Sequence, residues 1–175
     1  MHIPDGYLGP PTYVAAYAVC APLWGIAARK VRENLDTKRA PLLAISAAFS
    51  FLVMMFNVPL PGGSTGHAVG GVLIAIAVGP WGAMLSISIA LVIQALLFGD
   101  GGITAIGANC LNIAFVMPFA GYYTYRLLSR ALSSERGKAV AGGIGGYVGL
   151  NASALTTAVM FGIRYGSDVD PDDIP

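Results

Sequence analysis

Charge is scarce in this chain. Only 11% of its 175 residues are Asp, Glu, Lys or Arg, whereas soluble domains carry about 25%. Beside a hydrophobic content of 55%, that shortage excludes disorder, a coiled coil and an ordinary water-soluble fold. Cysteine is limited to Cys20 and Cys110, both inside apolar runs without paired spacing. Neither a disulfide framework nor a thiolate metal site follows from them. Histidine is as sparse, with only His2 and His67. The chain has no HExxH, no serine–histidine arrangement and no Walker motif, so no hydrolytic or nucleotide-driven chemistry of its own is expected. No acidic residue falls in the apolar centre of a hydrophobic run, as a proton-coupled pump would require. The expectation is a non-catalytic chain. A net charge of +1 gives no reason to expect a nucleic-acid partner. Gly99-Asp100-Gly101-Gly102 lacks the flanking elements of a phosphate loop and reads as a flexible turn.

Long apolar runs are abundant. They fall at 10–28, 40–60, 67–79, 81–98, 104–125 and 139–163, and a helix needs about 20 such residues to cross a bilayer. The third is too short to cross alone unless the Gly-rich segment before it sinks into the protein. Nothing alternates in ten-residue segments, as a membrane barrel would. The expected fold is all-α: one polytopic transmembrane bundle of six spans, with membrane lipid around it. Residues 1–175 form one integral membrane domain, with an arm at 1–9 and an acidic tail at 164–175. Arg29, Lys30, Arg32, Lys38 and Arg39 separate the first two runs, and Arg126, Arg130, Arg136 and Lys138 separate the last two. By the positive-inside rule both loops are cytoplasmic. The N-terminus, the 57–66 segment, the 99–103 loop and the tail then face outward. Two ladders of small residues, Ala141-Gly145-Gly149-Ser153 and Gly62-Gly66-Gly70, predict close helix packing.

The N-terminus carries Asp5 and no Lys or Arg in its first ten residues, unlike a cleavable signal. Bulky His2 disfavours removal of Met1, so the expected chain keeps a free amine beside a histidine. Such a terminus offers the Met1 amine, the His2 amide nitrogen and His2 Nδ1 in five- and six-membered chelate rings. Three coplanar nitrogens suit Ni(II) or Cu(II) better than Co(II). His67, at the outer start of the third run, is the other imidazole available to complete the plane. Ile3-Pro4-Asp5-Gly6 reads as a turn folding the arm back, with Asp5 accepting a hydrogen bond from a ligating imidazole. Gln94 and Asn109 stand at the right level to orient His67, and Thr65 clusters there with Asn57 and Ser64. Asn112 and Ser88 read as bridges between neighbouring helices. The plainer alternative is a scaffold subunit with two incidental histidines.

Three segments carry a family resemblance: Met1-His-Ile-Pro-Asp-Gly6, Pro61-Gly-Gly-Ser-Thr-Gly-His-Ala-Val-Gly-Gly71 and the stretch from Leu97 to Asn112. Together they resemble the CbiM/NikM family, the substrate-binding membrane component of nickel and cobalt energy-coupling-factor (ECF) transporters. The resemblance implies Met1, His2 and His67 as metal ligands, Ni(II) or Co(II) as transported substrate and no tightly bound organic cofactor. It also implies a transmembrane coupling subunit, a pair of ATP-binding-cassette ATPase subunits and a small accessory membrane subunit as partners. The location implied is the prokaryotic inner membrane, crossed several times. A vitamin-binding component of the same transporter class would want aromatic and charged groups inside its pocket. Family members usually carry a further hydrophobic helix beyond the point where this chain stops, so the chain reads either as a truncated or proteolysed form or as a shorter member of the family.

Overall fold

Two consecutive prolines open the first helix, where a missing N–H costs nothing. This helix, α1 (Pro10–Glu33), ends in Lys30 and Arg32, whose charges complement the negative end of its dipole. Beyond it, Asp36 Oδ1 accepts the Arg39 N–H at 2.7 Å, which starts α2 (Arg39–Met54). The computed structural model describes residues 2–37, 39–60 and 64–165; most of the acidic tail lies outside them. A short antiparallel hairpin comes after α2, with β1 (Val58–Leu60) and β2 (Ser64–Gly66) paired so that Val58 faces Gly66. The second apolar run is therefore helical only to Met54, and its last residues pair as a strand.

Next comes α3 (Gly71–Val78), then α4 (Pro80–Ile93), which continues through a π-helical turn at Gln94–Phe98. A loop leads to α5 (Ile106–Asn109), which runs through a π segment at Cys110–Val116 into α6 (Met117–Ala131). The last helix is α7 (Glu135–Tyr165). The six apolar runs thus appear as six helical rods. Three of them, 10–33, 80–98 and 135–163, are long and apolar enough to cross a membrane. At eight residues, α3 rises only about 12 Å and cannot cross the ~30 Å hydrocarbon layer.

The α4 rod is the centre of the bundle: 56% of its span is buried, against 17% for α1. Side-chain hydroxyls and amides tie its neighbours together. Trp24 Nε1 donates to Ser88 Oγ at 3.0 Å, Ser86 Oγ donates to the Leu43 carbonyl at 3.1 Å, and Asn112 Nδ2 donates to Thr157 Oγ1 at 3.0 Å. Ser88 and Asn112 therefore bridge helices, as expected. Cys20 and Cys110 are both buried and free.

The two small-residue ladders have different fates. Ala141, Gly145, Gly149 and Ser153 are all buried on one stripe of α7, and that stripe lies directly on α6. A Cβ on Gly145 would stand 2.6 Å from the Gly121 carbonyl oxygen. The second ladder is not helical. Gly62 lies outside the described residues, Gly66 sits in β2, and Gly70 takes φ +72° to start α3. A Cβ on Gly70 would overlap the Phe49 ring, so this glycine serves a sharp turn and a close approach to α2.

The α6–α7 contact makes a direct prediction. Gly145→Leu forces the two backbones apart and lowers the melting temperature in detergent by the several degrees that about 1–3 kcal/mol of overpacking implies. Gly146→Leu, with open space around it, leaves the melting temperature unchanged or higher. Equal effects from the two variants would refute close backbone packing at Gly145.

Candidate metal centre

The end of the bundle away from the basic loops carries the N-terminal arm. Ile3 is 1% exposed and packs with Leu8, Ala16, Ala105, Ala108 and Met160, so apolar burial draws the arm inward. Burying Ile3 also buries its peptide groups, which then need partners. Asn109 supplies both: its Oδ1 accepts the Ile3 N–H at 2.8 Å, and its Nδ2 donates to the Ile3 carbonyl at 3.1 Å. The Gly102 N–H donates to the same carbonyl at 2.9 Å.

The Asp5 carboxylate reaches the 99–105 loop. It accepts the Ile103 N–H at 3.1 Å, the Thr104 N–H at 2.9 Å and the Thr104 hydroxyl. These donors hold its pKa below the usual carboxylate range. The Gly-rich turn is a fitted seat for the arm, where the sequence suggested a flexible link. Gly101 has φ +90°, and a Cβ on it would press on Asn109 and His2; a Cβ on Gly102 would overlap Asp5.

This anchoring sets His2 inside the protein, its side chain 3% exposed. The His2 and His67 rings lie 4.7 Å apart between centroids, tilted by 52°. His2 Nδ1 is 2.9 Å from an Asp100 carboxylate oxygen, outside good hydrogen-bond alignment. His67 is brought in by the segment between β2 and α3, which Ser50 Oγ pins by donating to the Val69 carbonyl at 2.9 Å. Its Nδ1 stands 3.2 Å from the Ala68 carbonyl, which fixes the proton on Nδ1 and leaves Nε2 a bare acceptor. That Nε2 is buried with no partner, a costly arrangement unless something arrives to use the lone pair.

Burial governs the electrostatics here. Desolvation holds the His2 imidazole below its ordinary value, with the Asp100 carboxylate pulling the other way. Desolvation and the neighbouring His2 push His67 down to about 4. Both rings are neutral at physiological pH, the form that ligates metal. Among the described residues no three His, Cys, Asp or Glu side chains converge on one point. An ion held here would need donors besides the two rings.

The structure therefore brings His2 and His67 together and seats Asn109 and Asp5 around the arm. Asn109 holds Ile3 in place and is not hydrogen-bonded to His67. Asp5 serves the loop backbone; the carboxylate beside an imidazole belongs to Asp100. Gln94 is fully buried, its Nε2 weakly directed at Met55 Sδ (3.9 Å) and its Oε1 without a partner. Thr65 lies in β2 with its side chain outside what the structure describes, and Met1 lies outside the described residues. Asp100 was missed in sequence because its glycine neighbours read as a turn; its position at the level of the arm was the available signal.

The family model for CbiM, the cobalt uptake substrate-specific transmembrane region, matches residues 2–170. A fused nickel transport protein, NikMN of Rhodobacter capsulatus, is 50% identical over 165 residues, covering 94% of this chain and 48% of that protein. A cobalt transport protein, CbiM of Geobacter sulfurreducens, is 33% identical over 162 residues, covering 91% of this chain and 46% of that protein. The chain spans about half the length of these two curated relatives. A crystal structure of a truncated transition metal transporter matches with TM-score 0.90 and 49% identity, over 100% of this chain and 80% of that one. With a family model that matches nearly its whole length and a helical fold shared with a solved metal transporter, the chain belongs to the CbiM family.

Proposed function

We propose that this chain is the substrate-binding membrane subunit of an ATP-driven ECF-type uptake transporter, and that it captures Ni(II), or Co(II), at its outer face. The observation that carries this reading is the pair of neutral, buried imidazoles, with Nε2 of both rings and Nδ1 of His2 left without a hydrogen-bond partner. The Met1 amine, the His2 amide nitrogen and His2 Nδ1 supply three donors in a plane, and His67 Nε2 supplies the fourth. Such a plane favours Ni(II) over Co(II). For His2 Nδ1 to bind, Asp100 gives up its approach to that nitrogen and remains as a negative charge beside the ion.

The arm and His67 face outward in this reading, and the two basic loops face the cytoplasm of a multi-pass protein in the prokaryotic inner membrane. The chain hydrolyses nothing itself. A transmembrane coupling subunit, two ATP-binding-cassette subunits and a small accessory membrane subunit supply the energy and the reorientation that releases the ion inward.

The chelate requires a free N-terminus. A tag placed before Met1 abolishes stoichiometric nickel binding in equilibrium dialysis, while the same tag at the C-terminus does not. His67→Ala abolishes it as well and leaves the helical circular dichroism unchanged. Undiminished binding by the N-terminally extended protein would eliminate the amine and amide as ligands.

Proton release sets the pH dependence. Burial lowers both imidazoles, His67 to about 4, so both are neutral at physiological pH. The protons expelled by metal are those of the amine, whose ordinary pKa is about 7.7–8.0, and of the amide. Affinity therefore rises with pH, by about two decades per unit below pH 7 and about one decade per unit above pH 8.5. A flat profile across that range contradicts amine and amide ligation.

Asn109→Ala removes the partner of the Ile3 N–H and one of the two donors to its carbonyl, leaving only the Gly102 N–H, and loosens the arm without touching a ligand. Nickel affinity falls about 10–100-fold with the same absorption spectrum at saturation. An altered spectrum would make Asn109 a ligand and not a positioning residue.

A further inference from the structure

At the basic end of the bundle, opposite the metal centre, α1, α2 and the α3–α4 turn enclose a groove of about 420 Å³. That size is within the range of sites for small organic groups. Lys30, in the last turn of α1, and Arg39, at the start of α2, stand on its rim, and Leu42, Leu43, Val78 and Trp81 line it. Both cations are more than half exposed, and each makes only a long ion pair with an acidic neighbour: Lys30 Nζ is 3.7 Å from Glu33 and Arg39 Nε is 4.0 Å from Asp36. Exposed pairs of that length contribute little, so both charges remain available to an anion. The N-terminus of α4, the positive end of its dipole, opens onto the same groove at Pro80. Segment 29–39 carries five basic residues against two acidic ones. Leu42 is 41% exposed and Ile45, one turn further along α2, is 63% exposed, so the apolar lining runs on to the outer face of the bundle.

We infer that this groove binds the headgroup of an anionic phospholipid. The phosphate sits between Lys30 and Arg39 and the start of the acyl chain lies along Leu42 and Leu43. Charge complementarity selects the anionic head, since a zwitterionic head brings its own cation to a rim that is already positive. Continuity with the exposed face of α2 selects a lipid over a soluble anion, which would leave the apolar lining wet. Basic pockets between helices on the cytoplasmic side are suited to such headgroups. No residue of the metal centre takes part.

The test uses the full chain in neutral detergent, with its melting temperature read on adding phosphatidylglycerol, phosphatidylcholine or inorganic phosphate. Phosphatidylglycerol raises the midpoint by about 5 °C and the other two do not. The double variant Lys30→Gln/Arg39→Gln loses most of that rise. The control Arg29→Gln/Arg32→Gln removes the same charge off the groove and keeps it. An equal rise with phosphatidylcholine, the same rise with inorganic phosphate alone, or an equal loss in the control each overturns the assignment. So does a groove variant that responds normally to phosphatidylglycerol but no longer copurifies with its transporter partners, since the groove is then a protein-docking surface.

Discussion

The two-point pairing of Asn109 with the backbone of Ile3 is the interaction on which the arm end of this protein depends. A terminal arm is ordinarily frayed, because ordering its backbone costs about 1–2 kcal/mol per residue. Here Ile3 goes into an apolar pocket, and its buried N–H and C=O both find partners on one buried side chain, the C=O with a second donor in the Gly102 N–H. Leaving either group unsatisfied would cost about 1–3 kcal/mol. Once Ile3 is fixed, its neighbour His2 has no freedom to leave the protein, and its ring meets that of His67. The 99–105 loop obeys the same constraint: Gly101 and Gly102 are the residues that let it lie against the arm, and Asp5 clamps it from the other side.

The bundle beneath supplies rigidity for that arrangement. Its central rod, α4, is tied to α1 and α2 through serine hydroxyls, bonds worth about 0.6 kcal/mol on average inside a membrane protein. Dispersion across the glycine stripe of α7 contributes more, since two backbones at van der Waals distance align many weak contacts. Both π-helical segments begin at or beside a polar residue at the arm end of the bundle, Gln94 in one case and Asn109 in the other. An inserted residue re-aims the turns of helix beyond it. Here it divides the rod that carries Asn109 on the arm side from the part that packs on α7.

The metal-centre end of the bundle carries an electrostatic cost. A buried, unpartnered Nε2 on His67 and an unpartnered Oε1 on Gln94 both work against folding, and well-packed natural cores hold few such atoms. Burial keeps the rings neutral and so keeps their lone pairs open. The basic end of the molecule is built the opposite way, with its charges exposed and weakly paired around an apolar groove.

The amino-acid sequence by itself determined the class of the protein, the number of helical rods and the pair of imidazoles, because hydrophobic run length, basic-residue asymmetry and residue type are properties of the chain alone. It also exposed the α7 glycine stripe, since a four-residue spacing of small side chains is a local signal. Only the tertiary structure decided the features that depend on contacts between distant segments. Val58 to Leu60 are as apolar as any span, yet pair as a strand. Asn109 serves Ile3 across 106 positions of chain, Asp5 turns to the loop backbone, and Asp100 takes the place beside His2. Partner choice for a polar group is settled by which donors stand within about 3 Å after folding, and one-dimensional spacing does not contain that distance.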